Sequence, residues 1–195
     1  MASLITVRYL HDDVLRWRVH TEHQEILLLN FLLPSIAQHR PSSDGELLLL
    51  EESFGTWAKD ELLLLGYVSC YHLWERQSHS LISSQVQNLG LSLPPRATKS
   101  FTLYVRTVLS KLLDAELSDI SIWESLEKAR RIVNAYKHGS GHSFEVAKKK
   151  HPEFFCASSI PGDPAFIRVT RVQLEELMGT LKAFWDSLPY SIKYA

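Results

Sequence analysis

Three polar residues stand at helical spacing in the stretch "RRIVNAYKHGSG", residues 130–141. At 100° per residue, Arg131, Asn134 and His138 fall within roughly 60° of one another on one helix face. A histidine titrates near neutral pH and can act as a general acid or base, and an arginine can stabilise the charge of a phosphate. The stretch is therefore either a charged helix end that faces water or half of a site that handles phosphate.

A purely structural explanation of these residues stays open. Glu127 and Arg131 are a favourable i,i+4 pair, and cations suit the last turn of a helix because of its dipole. Asparagine and histidine, however, are weak helix formers. A stripe of Arg, Asn and His thus makes the helix intrinsically less stable than one with Ala, Glu or Lys at these positions. This favours a functional role.

One helix, from about Ser121 to His138, must position these side chains. Arg130 and Lys137 lie near the edge of its apolar side, and Gly139 is expected to end it in a left-handed cap because glycine tolerates positive φ. The predicted apolar stripe consists of Leu126, Ala129, Val133 and Tyr136, with Ile122 beside them.

The rest of the chain also reads as helices, which predicts an all-α bundle. A single domain over residues 1–195 suits the length. "AFIRV", at 165–169, is predicted to be a short extended piece. The predicted helices cover about residues 9–39 with a kink or break at Pro34, a short segment from Ser43 or Asp44 through Glu52 after the 40–46 loop, then 56–88, 100–116, 143–150 and 171–187.

Charge is distributed unevenly along the chain. The net charge is −1, which argues against a protein coated in positive charge for nucleic acid. Residues 128–151 nevertheless hold seven Lys or Arg and one acid, Glu145, and the remainder holds 14 basic and 21 acidic residues. This segment indicates a local anion-binding surface, although a solvated charge run would look the same.

Several classes of protein are disfavoured by what the sequence contains. The apolar runs fall short of the roughly 20 residues that a membrane span needs, and the start does not resemble a secretory signal, so we expect a cytoplasmic protein without membrane contact. Cys70 lies in an apolar run and is expected in the core. His72, Glu75 and His79 share a helical face that a metal could use, but a polar stripe is the commoner explanation. We predict no metal and no cofactor, since phosphate-loop, dinucleotide and nucleophile-elbow motifs are not found.

The stretch "RRIVNAYKHGSG" resembles the signature helix of the HEPN superfamily, whose motif is an arginine, a few residues and then a histidine, often with Asn between them and "KHG" at the end. Six residues separate Arg131 from His138 here. "YHLWERQSHS", at 71–80, is similar to the HEPN helix that packs against the motif helix, and the resemblance covers about residues 9–188. Two positions depart from the pattern: Val133 stands where many catalytic members have arginine, and Ser140 where some toxins have tyrosine.

The resemblance implies a bundle built on two long antiparallel helices, with the motif helix and a C-terminal helix. It implies a homodimer that acts as a metal-independent endoribonuclease, in a toxin–antitoxin pair or in antiviral defence, with a composite site across the dimer. The alternative is a non-catalytic HEPN module that binds RNA, a nucleotide or a protein partner. The implied catalytic residues are Arg131, Asn134 and His138. The implied supporting residues are Arg130, Lys137, Gly139 and Glu75, which is expected to pair with Arg130 or Arg131.

Overall fold

The computed structural model describes residues 21, 45–88, 90, 100–113, 117, 119–156 and 166–188. These residues form a helical bundle, which confirms the predicted all-α class. The elements in chain order are α1 (Gly45–Asn88), α2 (Phe101–Leu113), α3 (Ile120–His138), α4 (His142–Lys150), a 3-10 turn (Pro152–Phe154), β1 (Phe155–Cys156), β2 (Phe166–Ile167) and α5 (Arg171–Ser187).

The longest described helix, α1, starts earlier than predicted. The sequence predicts a short helix ending near Glu52 and a new one from about Thr56, whereas α1 is continuous from Gly45 to Asn88. The prediction of a break was wrong because the single Gly55 costs only about 1 kcal/mol relative to alanine. Strong helix formers on both sides of Gly55 offset that cost, since the run from Glu46 to Glu52 is leucine and glutamate.

The motif helix α3 is held at both ends by its own sequence. Asp119 caps the start, where its carboxylate accepts a hydrogen bond from the Ser121 backbone N–H at 3.0 Å. Gly139 ends the helix with φ 60° and ψ −141°. The predicted positive φ is confirmed, but this ψ lies outside the left-handed helical region that was expected. The observed pair of angles is one that essentially only glycine adopts, so a β-branched residue there would strain the backbone.

The C-terminal helix α5 supplies the centre of the core. Thr170 and Gln173 form a reciprocal capping box at its start, which fixes the first turn. The helix packs against α1 and α3. Phe184 is fully buried and makes edge-to-face contacts with three rings, those of Trp74 at 5.4 Å, Trp123 at 5.6 Å and Trp185 at 4.8 Å. The predicted inward face is confirmed, with Leu174, Leu177, Leu181, Phe184 and Trp185 all buried.

A compact C-terminal segment folds back against the motif helix. Helix α4 packs on α3, and the 3-10 turn leads into β1, which pairs antiparallel with β2. The predicted extended piece is therefore confirmed. Phe144 of α4 meets Phe155 of β1 edge to face at 4.9 Å, which ties the helix to the hairpin. Neither cysteine is part of a disulfide, and Cys70 is buried in the core as expected.

Some predictions lie outside the described residues. They are the first long helix over 9–39 with its break at Pro34, the cap at Ser43 or Asp44, and residues 114–116 at the end of the predicted third helix. Of the two long helices implied by the resemblance, only α1 is described. The segment 71–80 on α1 does pack against α3, as the resemblance implies. Across the described ranges, no helix combines the length and hydropathy needed to cross a membrane.

Candidate functional site

The polar face of α3 is solvent-accessible, and its opposite side is core. Lys137 and His138 are exposed, and Asn134 is partly exposed. The Arg131 side chain is 24% exposed. The face predicted to carry chemistry is therefore open to a ligand along two helical turns.

The buried side of α3 is wider than the predicted stripe. Val133 is 1% exposed, which confirms that the core occupies the position just before Asn134. Tyr136, predicted to be part of the apolar stripe, is 37% exposed, whereas Ile132 and Ala135 are fully buried. The prediction for Tyr136 was wrong because burial stops before the last turn of α3, and residues 136–142 are all exposed whichever side of the helix they occupy.

One carboxylate holds both arginines of the motif. Glu127 accepts two hydrogen bonds from Arg130, at 2.8 Å and 2.7 Å, in a bidentate pair. Its Oε1 also lies 3.0 Å from a terminal nitrogen of Arg131, and its Oε2 accepts from the Ser100 hydroxyl at 2.9 Å. Burial raises the pKa of Glu127, but the Arg130 and Ser100 hydrogen bonds lower it more, so the pKa lies below its usual value. The sequence predicted the Glu127–Arg131 pair but not the stronger pair with Arg130.

Glu75 does not take the partner predicted for it. Its carboxylate makes a hydrogen bond of 2.8 Å with His72 Nδ1, one turn earlier on α1, while Arg130 and Arg131 pair with Glu127. Glu75 is still close enough to help raise the pKa of Arg130, after the larger effect of Glu127. Glu75 therefore lies near Arg130, as predicted, but the predicted ion pair is wrong. Both arginines pair with Glu127 instead, because it lies one turn before them on the same helix.

A groove of about 810 Å³ opens beside the N-terminal three turns of α3. Its walls come from the start of α2, from α3 between Ile120 and Arg131, and from Lys150 with His151 at the end of α4. Four cationic side chains line it: Arg106, Lys128, Arg131 and Lys150. Glu124 and Glu127 are the carboxylates in the same wall, and Glu127 is already engaged by two arginines.

His151 is the residue of this groove that the sequence interpretation missed. It stands between α4 and the 3-10 turn, where its backbone N–H donates to the Ala147 carbonyl at 2.8 Å and Pro152 follows. Burial lowers the pKa of His151, the Glu153 carboxylate 3.8 Å away opposes this, and the nearby cations Arg131, Lys128 and Lys150 lower it further. Although 19 residues separate it from Arg131 in the chain, it lines the same groove as that arginine. The run "KKKHP" is the only local signal that could have marked it.

The groove and the His138 end of α3 are two separate parts of the surface. Arg131 lies at the boundary, because its guanidinium extends toward Glu127 in the preceding turn. His138 stands two turns in the other direction, about 10 Å along the axis. Within one chain the structure therefore brings Arg131 together with His151 and Lys128, and it leaves Asn134 and His138 outside the groove.

Replacing Glu127 by glutamine should destabilise the fold by roughly 1–3 kcal/mol at pH 7, because the partly buried Arg130 loses its charged acceptor. The folded-state pKa of Glu127 is depressed, so its stabilisation is present above the unfolded-state pKa and is lost as pH falls through the folded-state value. The difference between wild type and Glu127→Gln should therefore shrink below about pH 4. Urea denaturation of both proteins at pH 7 and in acid measures it.

The matched control is Glu175→Gln, which breaks the exposed i,i+4 pair with Arg171 at 2.8 Å. That change should stay within about 0.5 kcal/mol at any pH, since exposed pairs contribute little. An equal loss of stability in the two variants would contradict the special role of Glu127.

Candidate metal ligands do not converge in the part of the chain that the structure describes. There, no group of three or more His, Cys, Asp and Glu side chains has the geometry to hold a metal ion. His72 and Glu75 bond to each other, and His79 Nδ1 lies 3.5 Å from the Ser83 hydroxyl. The polar stripe on α1 is thus engaged in local hydrogen bonds.

The arrangement as a whole can bind an anion and can move a proton. Arg131, Lys128 and Lys150 supply positive charge, and His138 and His151 carry imidazoles, the side chain that most often acts as a general acid or base. A comparison of the chain with protein-family models, with curated proteins and with solved structures finds no match. The resemblance to the HEPN superfamily therefore rests on the motif helix and the helix beside it.

Proposed function

We propose that this protein is a metal-independent endoribonuclease whose active site is completed by a second copy of the chain. The observation that carries the proposal is the open face of α3, where Arg131, Asn134 and His138 are accessible to solvent while the opposite side of the helix is packed into the core. The resemblance to HEPN proteins places such an enzyme in the cytoplasm, as a toxin restrained by an antitoxin or as a component of antiviral defence.

The separation of Arg131 from His138 is the reason for a dimer. One chain holds the two side chains two turns apart and directs the arginine away from the histidine. In an antiparallel pair of α3 helices with its two-fold axis near Asn134, each Arg131 would lie level with the other copy's His138, because Asn134 stands midway between them.

The chemistry uses only side chains. His138 takes the proton of the ribose 2′-hydroxyl, whose oxygen attacks phosphorus and forms a new O–P bond. The bond from phosphorus to the 5′-oxygen breaks, and a protonated His138 of the second copy gives its proton to that oxygen. Arg131 stabilises the charge of the phosphorane, Asn134 orients the imidazole, and Arg130 and Lys137 add positive charge along the RNA backbone. The products are a 2′,3′-cyclic phosphate and a 5′-hydroxyl.

Cleavage of structured and unstructured RNA by the purified chain tests the proposal. We expect cleavage that survives EDTA and leaves a 2′,3′-cyclic phosphate, because acid, base and charge stabiliser are all protein groups. Sedimentation should show a dimer at roughly tens of micromolar protein. Activity that EDTA abolishes, or activity from a species that is only monomeric, would contradict the mechanism.

One observation favours a second candidate, a non-catalytic module. The position before Asn134 holds Val133, which is part of the core, and not an arginine. One terminal nitrogen of Arg131 is paired with Glu127. The same face would then hold RNA, a nucleotide or an acidic protein partner without turnover. RNA that binds in the cleavage assay and stays intact is the outcome that selects this candidate.

A further inference from the structure

The groove beside α2 and α3 is chemically divided along its length. Its floor on α3 runs from Ile120 to Arg131, a distance of about 16 Å along the helix axis. Lys128, Lys150 and His151 gather at the C-terminal end, and Ile120 marks the N-terminal end. Its volume of about 810 Å³ lies in the range of ~300–1,000 Å³ that small-molecule sites occupy.

The basic end is suited to a phosphate. Lys128 and Lys150 supply two ammonium groups, and Lys128 is held in place with its Nζ 5.9 Å from the centre of the Phe154 ring. The His151 backbone is fixed by its hydrogen bond to Ala147 and by Pro152, and its side chain is only 19% exposed, which limits the room that the imidazole has to move. The charges that face His151 are Glu153 on one side and Lys128, Arg131 and Lys150 on the other. A bound phosphate dianion would stabilise the protonated imidazole of His151, which the cations Lys128, Arg131 and Lys150 otherwise destabilise.

The other end is suited to a flat, partly apolar group. Leu103 is 49% exposed and Ile120 is 61% exposed, so two large apolar side chains face the groove. The Arg106 guanidinium lies 5.8 Å from the centre of the Trp123 ring and offers a planar cation on which an aromatic base can stack.

Between the two ends the groove is polar. Glu124 and Ser125 lie one turn from the lysine end and can accept or donate hydrogen bonds to sugar hydroxyls. The helix N-terminus does not compete for the anion, because Asp119 already caps it with its own carboxylate. The order along α3 is therefore apolar, then hydroxyl and carboxylate, then cationic.

The geometry points to a binding site for a nucleoside monophosphate unit in this groove, with the phosphate at Lys128, Lys150 and His151. The base then lies against Leu103, Ile120 and Arg106, and the sugar lies beside Glu124. This site is separate from the His138 end of α3, and its occupancy does not depend on RNA cleavage. A free mononucleotide and one nucleotide of an RNA strand carry the same chemistry.

Calorimetry and NMR on the full-length chain, with inorganic phosphate, adenosine and AMP as probes, test the site. AMP should bind at least about tenfold more tightly than phosphate or adenosine, because it engages both ends of the groove. Binding should also raise the pKa of the His151 imidazole, followed by its NMR titration, so AMP should bind more tightly as pH falls. AMP that binds no more tightly than phosphate would overturn the proposal, and so would a His151 titration that AMP leaves unchanged.

Substitutions at the two ends of the groove distinguish binding of the phosphate from binding of the base. Lys150→Ala should weaken phosphate and AMP alike, by about tenfold, whereas Ile120→Ser should weaken AMP and leave phosphate unchanged. Lys149→Ala is the matched control, since this exposed lysine neighbours Lys150 but does not line the groove. An equal loss in Lys149→Ala would mean diffuse charge attraction and would overturn the site. Far-UV circular dichroism verifies that each variant is folded.

A short 2′-O-methyl oligoribonucleotide distinguishes the two sources of the ligand. It lacks the attacking hydroxyl, so it measures binding without cleavage. Tighter binding of AMP, sensitive to Ile120→Ser, supports a free mononucleotide. Tighter binding of the oligomer with the same sensitivity supports an RNA strand, and binding of both AMP and the oligomer that ignores Lys150→Ala and Ile120→Ser would overturn the groove site.

Discussion

RNA cleavage by the His138→Ala variant should be slower than by wild type by roughly 10² to 10⁴-fold, the usual contribution of a general acid or base. His138 is exposed in the last turn of α3, so the substitution removes the imidazole without opening a cavity. Because the side chain is exposed at the helix end, the substitution should cost less than about 1 kcal/mol of stability. Rates from single-turnover cleavage and melting curves of the same samples measure the two effects.

The control for this prediction is His79→Ala. His79 is another exposed histidine, but it lies on α1, where its Nδ1 is 3.5 Å from the Ser83 hydroxyl of the same helix. Its removal should leave cleavage unchanged. If His138→Ala cleaves RNA at the wild-type rate, His138 is not the acid or base, and the proposed mechanism fails whatever the state of the dimer.

Phe184→Ala should destabilise the protein by about 3–5 kcal/mol, the range for deleting a buried aromatic ring. Phe184 is fully buried and contacts Trp74, Trp123 and Trp185 edge to face, so the vacated space is walled by three rigid indoles. Such a cavity cannot collapse easily, which places the expected loss in the upper part of the range. Urea denaturation gives the free energy, and near-UV circular dichroism reports the packing of the three indoles.

Two further variants show that packing is the cause. Phe184→Leu keeps most of the apolar volume and should lose clearly less stability than the alanine variant. Phe166→Ala removes the same ring from a half-exposed position on β2 and should cost little. A Phe184→Ala protein as stable as wild type would show that the aromatic cluster relaxes around the cavity.

The helices that end on strong local signals were predictable from sequence. The limits of α3 and α5 agree with the prediction to within one residue, because Asp119, Gly139 and the Thr170–Gln173 capping box act over a few residues only. The start of α1 was missed for the opposite reason. A lone Gly55 is a weak signal, and the leucine-rich surroundings and the packing of the bundle outweigh it.

The site was predictable only along α3 itself. Helical periodicity gives the angular relation of Arg131, Asn134 and His138, and it also gives the Glu127–Arg131 pair. It says nothing about residues that meet through tertiary packing. The chain reverses at Gly139–Gly141, so that the end of α4 brings His151 beside Arg131. Glu75 lies on a different helix, and Arg130 pairs with Glu127 of its own helix instead.

The pairing of one carboxylate with two arginines has a consequence for how the surface responds to salt. Glu127 already neutralises part of the charge on Arg130 and Arg131, so these side chains attract fewer mobile anions from solution than two free arginines would. In the RNA binding proposed above, the three groups would act with a net charge of +1 rather than +2. They would therefore release fewer of the cations condensed around the RNA and add less to the salt dependence of binding, and the exposed Lys137, Lys148 and Lys149 would account for more of it.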